Sequence, residues 1–380
     1  MLDERMNVPV VFLTHPKPYQ VIQRKGYCAA QAYANHLGGP SLGEGTLIIA
    51  GSVSGRKHGR LEARTLLLHD AYGIAVDWKD LDAEWEGEQF EAAFLVPAGG
   101  WYRLELRYID MERGKQSESV VVEPVGVGEV FIIAGQSYAE NCNDSCMRIE
   151  DPQGRISALD PRTQEWRVAH DPQPTVNRSD DNEQSRKGTI WPAAMNHLLP
   201  LLRVPIGMVN VAVGATSSRQ WMPGEPLFEN LQHAGKAVGP FRALLWQQGE
   251  SDVIEGTSTE VYKSRLLAIK AELEEIWGHS FLWLPAKSTL HPTVYIKPLE
   301  EGSIRLAIDE LWSEPGFLPG PDTDILAGIG LHRAVERDSG HFTLLGQQQA
   351  GLLWCIAIWN LLQLSGVVNE QYEDVVRFEH

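Results

Sequence analysis

The chain has 380 residues, 43% of them hydrophobic, and its 50 Asp and Glu against 33 Lys and Arg leave a formal net charge of -17. That size supports substantial cores in two domains, or in one large domain with an appended module. The negative balance, with no basic patch to reverse it, excludes nucleic acid and an anionic membrane surface as partners.

The opening segment, MLDERMNVPVVFLTH, is acidic early and has no apolar run of signal-peptide length, so nothing in it directs export. A signal already removed would leave the same sequence, and no compartment is assigned. Four cysteines, Cys28, Cys142, Cys146 and Cys355, are too few for a disulfide scaffold, and Cys142 and Cys146 read as buried thiols ahead of zinc ligands.

Up to about residue 125 the chain reads as β-structure. TLIIAGSV, RTLLLHD, QFEAAFLVPAGGWYRLELRYID and SVVVEP are short apolar or alternating runs between turn residues. In YRLELRY, Tyr102, Leu104, Leu106 and Tyr108 share one face, with Arg103, Glu105 and Arg107 on the other, the pattern of a half-buried antiparallel strand. A small sandwich-like module over residues 1–125 follows, either a structural cap or a carbohydrate-binding element.

From about Gly126 the pattern changes to continuous apolar strands followed by polar loops and helices: VFIIA, then IGMVNVAV, ALLW and FLWL. Strands without alternation are buried on both faces, which predicts a parallel sheet covered by helices over residues 126–380. Residues 140–187 read as a long polar loop acting as a lid or substrate wall. TSTEVYKSRLLAIKAELEEIWG is a helix, with Tyr262, Leu266, Ile269, Leu273 and Ile276 along one face, Thr257 or Ser258 as its N-cap and Gly278 at its end. A last helix is expected from about Thr343 to Ser365. Its run LLWCIAIWNLL falls short of the roughly 20 apolar residues that cross a bilayer, so no membrane span is expected.

In an open parallel sheet the ligand crevice lies beyond the carboxyl ends of the strands. Gly135-Gln136-Ser137, Gly214-Ala215-Thr216-Ser217 and Gln247-Gln248-Gly249-Glu250-Ser251-Asp252 stand there, and Asp338-Ser339-Gly340-His341 precedes the last helix. These segments hold the parts of an acyl-transfer site. Ser137 is a nucleophile or a helix cap; His341 can serve as base and Asp338 can orient it. The N–H of Ser137 at a helix N-terminus, the N–H of Gly214 and the side-chain amide of Gln248 are candidate oxyanion donors. Gln136, Tyr138, Asn141, Arg219, Trp221 and Glu250 are candidate substrate contacts. Trp221 either stacks on a sugar or fills the core, and Glu250 either orients Arg219 or a sugar hydroxyl or sits in a buried ion pair. His332 ranks second as base, because no aspartate stands three residues ahead of it. No H-E-x-x-H occurs, and neither metal nor organic cofactor is expected. GQSYA lacks the second glycine of G-x-S-x-G, which argues against an α/β-hydrolase.

AGQS, VAVGATSSRQW, LLWQQGESD and DSGHF together resemble the successive blocks of the SGNH hydrolase superfamily. Within it they are most similar to the sialate O-acetylesterase and acetylxylan esterase branch, carbohydrate esterase family 6, over roughly residues 126–360. The resemblance implies a three-layer, flavodoxin-like α/β domain with a parallel sheet, behind the β-rich module. It implies an esterase acting on O-acetylated carbohydrate, with Ser137, Asp338 and His341 as triad and Gly214 and Gln248 in the oxyanion hole. In that family asparagine usually follows GQS, whereas here Tyr138 does, with Asn141 three residues on. The rival expectation is a catalytically silent, carbohydrate-binding relative. Neither the sugar nor the oligomeric state is legible.

Overall fold

A computed structural model describes residues 10–27, 42–55, 58–112, 114–176, 187–335 and 340–372. The chain divides into two compact units, one drawing on residues 1–27, 31–129 and 203–207, the other on 28–30, 130–202 and 208–380.

The first unit is β-rich. One antiparallel sheet has the order β1 (Val10–His15), β3 (Glu44–Ser54), β7 (Gln89–Pro97), β6 (Ala83–Glu86). In a second, β8 (Gly99–Asp110) lies between β4 (Gly59–Tyr72) and the first part of β10 (Val120–Gly135). On β4 follows β5 (Val76–Leu81), while β2 (Val21–Gln23) runs parallel to β10 and β9 (Lys115–Gln116) pairs with β8. The alternation read in YRLELRY is present: Tyr102, Leu104, Leu106 and Tyr108 are fully buried. Their opposite face carries a ladder of alternating charge, Arg107 to Glu62 at 2.6 Å, and Arg64 and Arg103 to Glu105 at 2.7 Å each. Cross-strand charges of opposite sign are favourable neighbours on a sheet face.

In the second unit the end of β10 pairs in parallel with β14 (Ala243–Gln247), and β14 in parallel with β15 (Trp283–Pro285). On the other side of β10 lies β13 (Ile206–Asn210). Every residue of β13, β14 and β15 is buried, as strands covered on both faces require. The sheet is mixed, because β11 (Ile156–Leu159) and β12 (Trp166–Val168) add an antiparallel pair beyond β13. The stretch read as a polar loop thus contains a hairpin whose first strand is wholly buried.

The helices are α1 (Trp191–Leu202), α2 (Pro226–Val238), α3 (Glu250–Glu255), α4 (Thr259–Trp277), α5 (Pro298–Leu311) and α6 (Leu344–Tyr372). Helix α4 starts and stops as its sequence dictates, with the Ser258 hydroxyl accepting from the Val261 N–H and Gly278 left-handed at φ 72°. Its stripe Tyr262, Leu266, Ile269 and Leu273 is buried, while Ile276 is half-buried. Cys355 is a buried thiol, but Cys142 is half-buried and Cys146 exposed, against the expectation of two buried thiols.

Candidate active site

Strand β10 ends at Gly135, whose φ of 131° and close approach to β14 both demand glycine: a Cβ there would stand 2.1 Å from the Gln247 carbonyl oxygen. The chain then makes one tight turn, in which the N–H groups of Ala139 and Glu140 donate to the Gln136 carbonyl. Among the described residues no helix follows before α1 at Trp191, so Ser137 caps none and its N–H lacks the helix dipole expected for it. Ser137 is buried, 8% exposed, and among the described residues neither its hydroxyl nor its N–H has a hydrogen-bond partner.

Gly214 lies against this serine: a Cβ on Gly214 would be 3.5 Å from the Ser137 Cβ. Its N–H donates to Glu140 Oε2 at 2.6 Å, so the proposed oxyanion donor is occupied by a carboxylate of the nucleophile turn. Ala215 next to it has φ 58°, a conformation non-glycine residues rarely adopt and one that gathers at functional loops.

The third loop is a buried lattice of amides. Gln136 Oε1 accepts from the Ser251 N–H at 3.1 Å and lies 3.3 Å from Gln248 Nε2. Gln248 Nε2 also donates to Asp252 Oδ2 at 2.7 Å and to the Thr216 carbonyl at 3.1 Å, while its Oε1 accepts from the Tyr262 hydroxyl. As arranged, then, the Gln248 amide hydrogens serve the loop. Asp252 is fully buried, accepting from the Ser218 N–H and hydroxyl and pairing with Arg265 at 3.2 Å.

Most of the substrate contacts expected from the sequence are buried. Trp221 is fully buried, donates to the Thr216 hydroxyl and meets Trp246 edge-on at 5.2 Å, so it belongs to the core. Arg219 is exposed and faces Glu255 at 3.7 Å, not Glu250. Glu250 is 1% exposed and accepts from the Ser288 hydroxyl, and among the described residues no arginine forms an ion pair with it. Burial pushes its carboxyl up to about 8. Gln136 and Tyr138 are likewise buried, and Asn141 spends its amide on the Gln173 backbone.

Asp338 lies outside the described residues. His341 is half-buried, and its segment is tied to the nucleophile turn: the Asp144 N–H donates to the Phe342 carbonyl, and the Phe342 N–H to Asn143 Oδ1, whose Nδ2 donates to the Tyr138 carbonyl. The His341 ring meets the Tyr138 ring at 5.2 Å and that of His291 at 5.3 Å. His332, the second-ranked base, closes its own turn with Gly328.

His291 was not found from the sequence, though it follows β15 as the other site segments follow their strands. Its imidazole is pushed down to about 4 by burial, reinforced by the charge of Arg333. Among the described residues no group of three or more His, Cys, Asp or Glu could hold a metal ion.

Residues 127–282 match the family described as carbohydrate esterase, sialic acid-specific acetylesterase. A probable carbohydrate esterase of Arabidopsis thaliana is 26% identical over 164 residues, 38% of this chain, and the match spans 63% of that relative's length. A carbohydrate acetylesterase from Xanthomonas citri shares the fold with a TM-score of 0.54 at 16% identity, covering 93% of this chain and 75% of its own. A structure of an Arabidopsis thaliana protein gives a TM-score of 0.44 at 20% identity, with 61% of this chain and 98% of that one covered. The AGQS, VAVGATSSRQW and LLWQQGESD blocks all fall inside the matched segment. Over residues 127–282 the chain is therefore a match to the family described as carbohydrate esterase, sialic acid-specific acetylesterase, carried on a mixed α/β fold shared with the Xanthomonas citri acetylesterase.

Proposed function

We propose that the chain is a serine carbohydrate O-acetylesterase, with an esterase domain over residues 126–380 behind a β-rich accessory module over 1–125. The observation that carries this reading is Ser137: at the end of a buried strand, with a hydroxyl unengaged among the described residues, packed against Gly214 and next in sequence to a tyrosine in contact with His341. The Ser137 hydroxyl oxygen attacks the acetyl carbonyl carbon as its proton passes to the His341 imidazole, which then gives it to the departing sugar alkoxide. Asp338 orients the imidazole and stabilises its charged form. Water, deprotonated by His341, splits the acetyl-enzyme, releasing acetate and restoring the serine. The Ser137 N–H is open to the oxyanion. Gly214 joins it once Glu140 withdraws, and Gln248 only by giving up partners in the loop.

A panel of O-acetylated sialic acids, acetylated xylo-oligosaccharides and a small aryl acetate tests the reading through acetate release. Release that disappears in Ser137→Ala supports it; release unchanged in that variant overturns it. The second reading, a silent carbohydrate-binding relative, is favoured by Glu140 seated on the Gly214 N–H. It predicts sugar binding with no acetate release and no labelling of Ser137 by a fluorophosphonate.

A further inference from the structure

We propose that Tyr138 is a positioning residue that sets the His341 imidazole against Ser137; the inference rests on the reading of Ser137 and His341 given above. Tyr138 directly follows Ser137 and is fully buried. Its hydroxyl is shared between two carbonyls, Leu290 at 3.0 Å and Gly340 at 3.3 Å, and Gly340 is the residue before His341.

The ring does as much as the hydroxyl. It meets His341 edge-on at 5.2 Å and lies 4.8 Å from the Phe342 ring. The guanidinium of Arg333, itself fully buried, lies 4.5 Å from the Tyr138 ring and 4.1 Å from that of Phe342. A buried cation shared by two aromatic faces holds those rings together. The main chain closes the loop, with Asn143 bonded to both the Tyr138 carbonyl and the Phe342 N–H.

The segment has no slack on its far side. A Cβ at Gly340 would stand 2.0 Å from Thr293 Oγ1 and 2.5 Å from His291 Cε1, so the backbone before His341 is pressed onto the 290–293 loop. That loop is anchored in turn, since Asp324 accepts from the N–H groups of Thr289 and Leu290. Tyr138 thus links the nucleophile turn, the 290–293 loop and the histidine segment through one side chain. A displacement of about 1 Å between reacting groups can cost on the order of 10²-fold in rate.

The test is Tyr138→Phe, which removes the hydroxyl and keeps the ring. Labelling of Ser137 by a fluorophosphonate and turnover of a small aryl acetate are followed, with Tyr102→Phe as control. Tyr102 also donates to a carbonyl and is fully buried, but belongs to the first unit. The expected result is labelling and kcat about 10-fold or more below wild type with KM within about twofold, while Tyr102→Phe retains both rates. Labelling and kcat of Tyr138→Phe equal to wild type overturn the positioning role and leave the serine reading standing. Equal rates in wild type and Ser137→Ala overturn both. If Tyr138→Phe does not fold, Phe342→Leu carries the test: it loosens the ring cluster without touching a side-chain hydrogen bond, and slower labelling with unchanged KM is expected, wild-type labelling being the contrary outcome.

Discussion

Glu140 Oε2 accepts the Gly214 N–H at 2.6 Å, placing a carboxylate beside Ser137 where the proposed esterase reaction would need an oxyanion donor. A negative charge there opposes the charge that forms in acyl transfer, and preorganised donors are among the largest contributions to such reactions. Glu140→Ala frees the donor and removes the charge. We expect kcat for a small aryl acetate to rise by about 10-fold or more, within the 10²- to 10³-fold contribution of one oxyanion donor. A fall in kcat would assign Glu140 to support of the 214 loop.

Gln248→Ala tests the opposite kind of residue. Its amide holds Asp252, Thr216 and Gln136 in a fully buried lattice. Truncation leaves buried acceptors unsatisfied, at a cost of about 1–3 kcal/mol in denaturant unfolding. If the amide also reaches the oxyanion, turnover falls by about 10²-fold or more in the folded fraction. A stability loss with turnover intact would confine Gln248 to the loop.

What could be read from the sequence follows from what periodicity encodes. VFIIA and ALLW are apolar on both faces, and in the structure their residues are buried in the sheet, with the chemistry-bearing segments at its ends. The direction in which a polar or aromatic side chain turns has no period. Trp221 was open between sugar and core because a tryptophan after a polar loop reads alike in both; the Trp246 edge that receives it is remote in sequence. For Glu250 the sequence favours a buried ion pair over a sugar contact, whereas its partner is Ser288, which belongs to another loop. The hairpin of β11 and β12 has strands of four and three residues, too short to show alternation inside a polar stretch. His291 required only the strand-end rule applied once more, after β15.

Trp221 in the core makes a prediction distinct from Trp221 on a sugar. Trp221→Ala should cost about 3–5 kcal/mol of stability, as large-to-small core truncations do. Trp221→Phe, which keeps most of the volume, should leave KM for an acetylated sugar within about twofold of wild type. A large rise in KM from the phenylalanine variant, with its stability preserved, would return Trp221 to the substrate.

Glu250 carries a carboxyl raised to about 8 by burial. A raised folded-state value means that the folded protein holds the proton more tightly than the unfolded chain. The associated stability is fully present below the ordinary carboxyl range and is lost as pH rises through about 8. Glu250→Gln mimics the protonated side chain and has nothing to titrate. The difference in thermal midpoint, variant minus wild type, should therefore increase from pH 5 to pH 9, those limits bracketing about 8. A difference that stays constant would show an ionised Glu250 compensated by its surroundings.

His291 works with the opposite sign. Its imidazole, pushed down to about 4 by burial and by Arg333, is neutral in the folded protein at neutral pH, when the unfolded chain's histidine begins to take up a proton just below it. A lowered folded-state value gives stability that is present above the unfolded pKa of about 6.5 and is lost as pH falls through about 4. His291→Gln cannot titrate, so its thermal midpoint should fall less than that of wild type between pH 7 and pH 4, the window around those two values. The same comparison separates stability from chemistry, because the His341 ring lies 5.3 Å away. An acid limb of kcat that persists unchanged in His291→Gln belongs to His341, and one that vanishes with the substitution makes His291 the group that titrates in turnover.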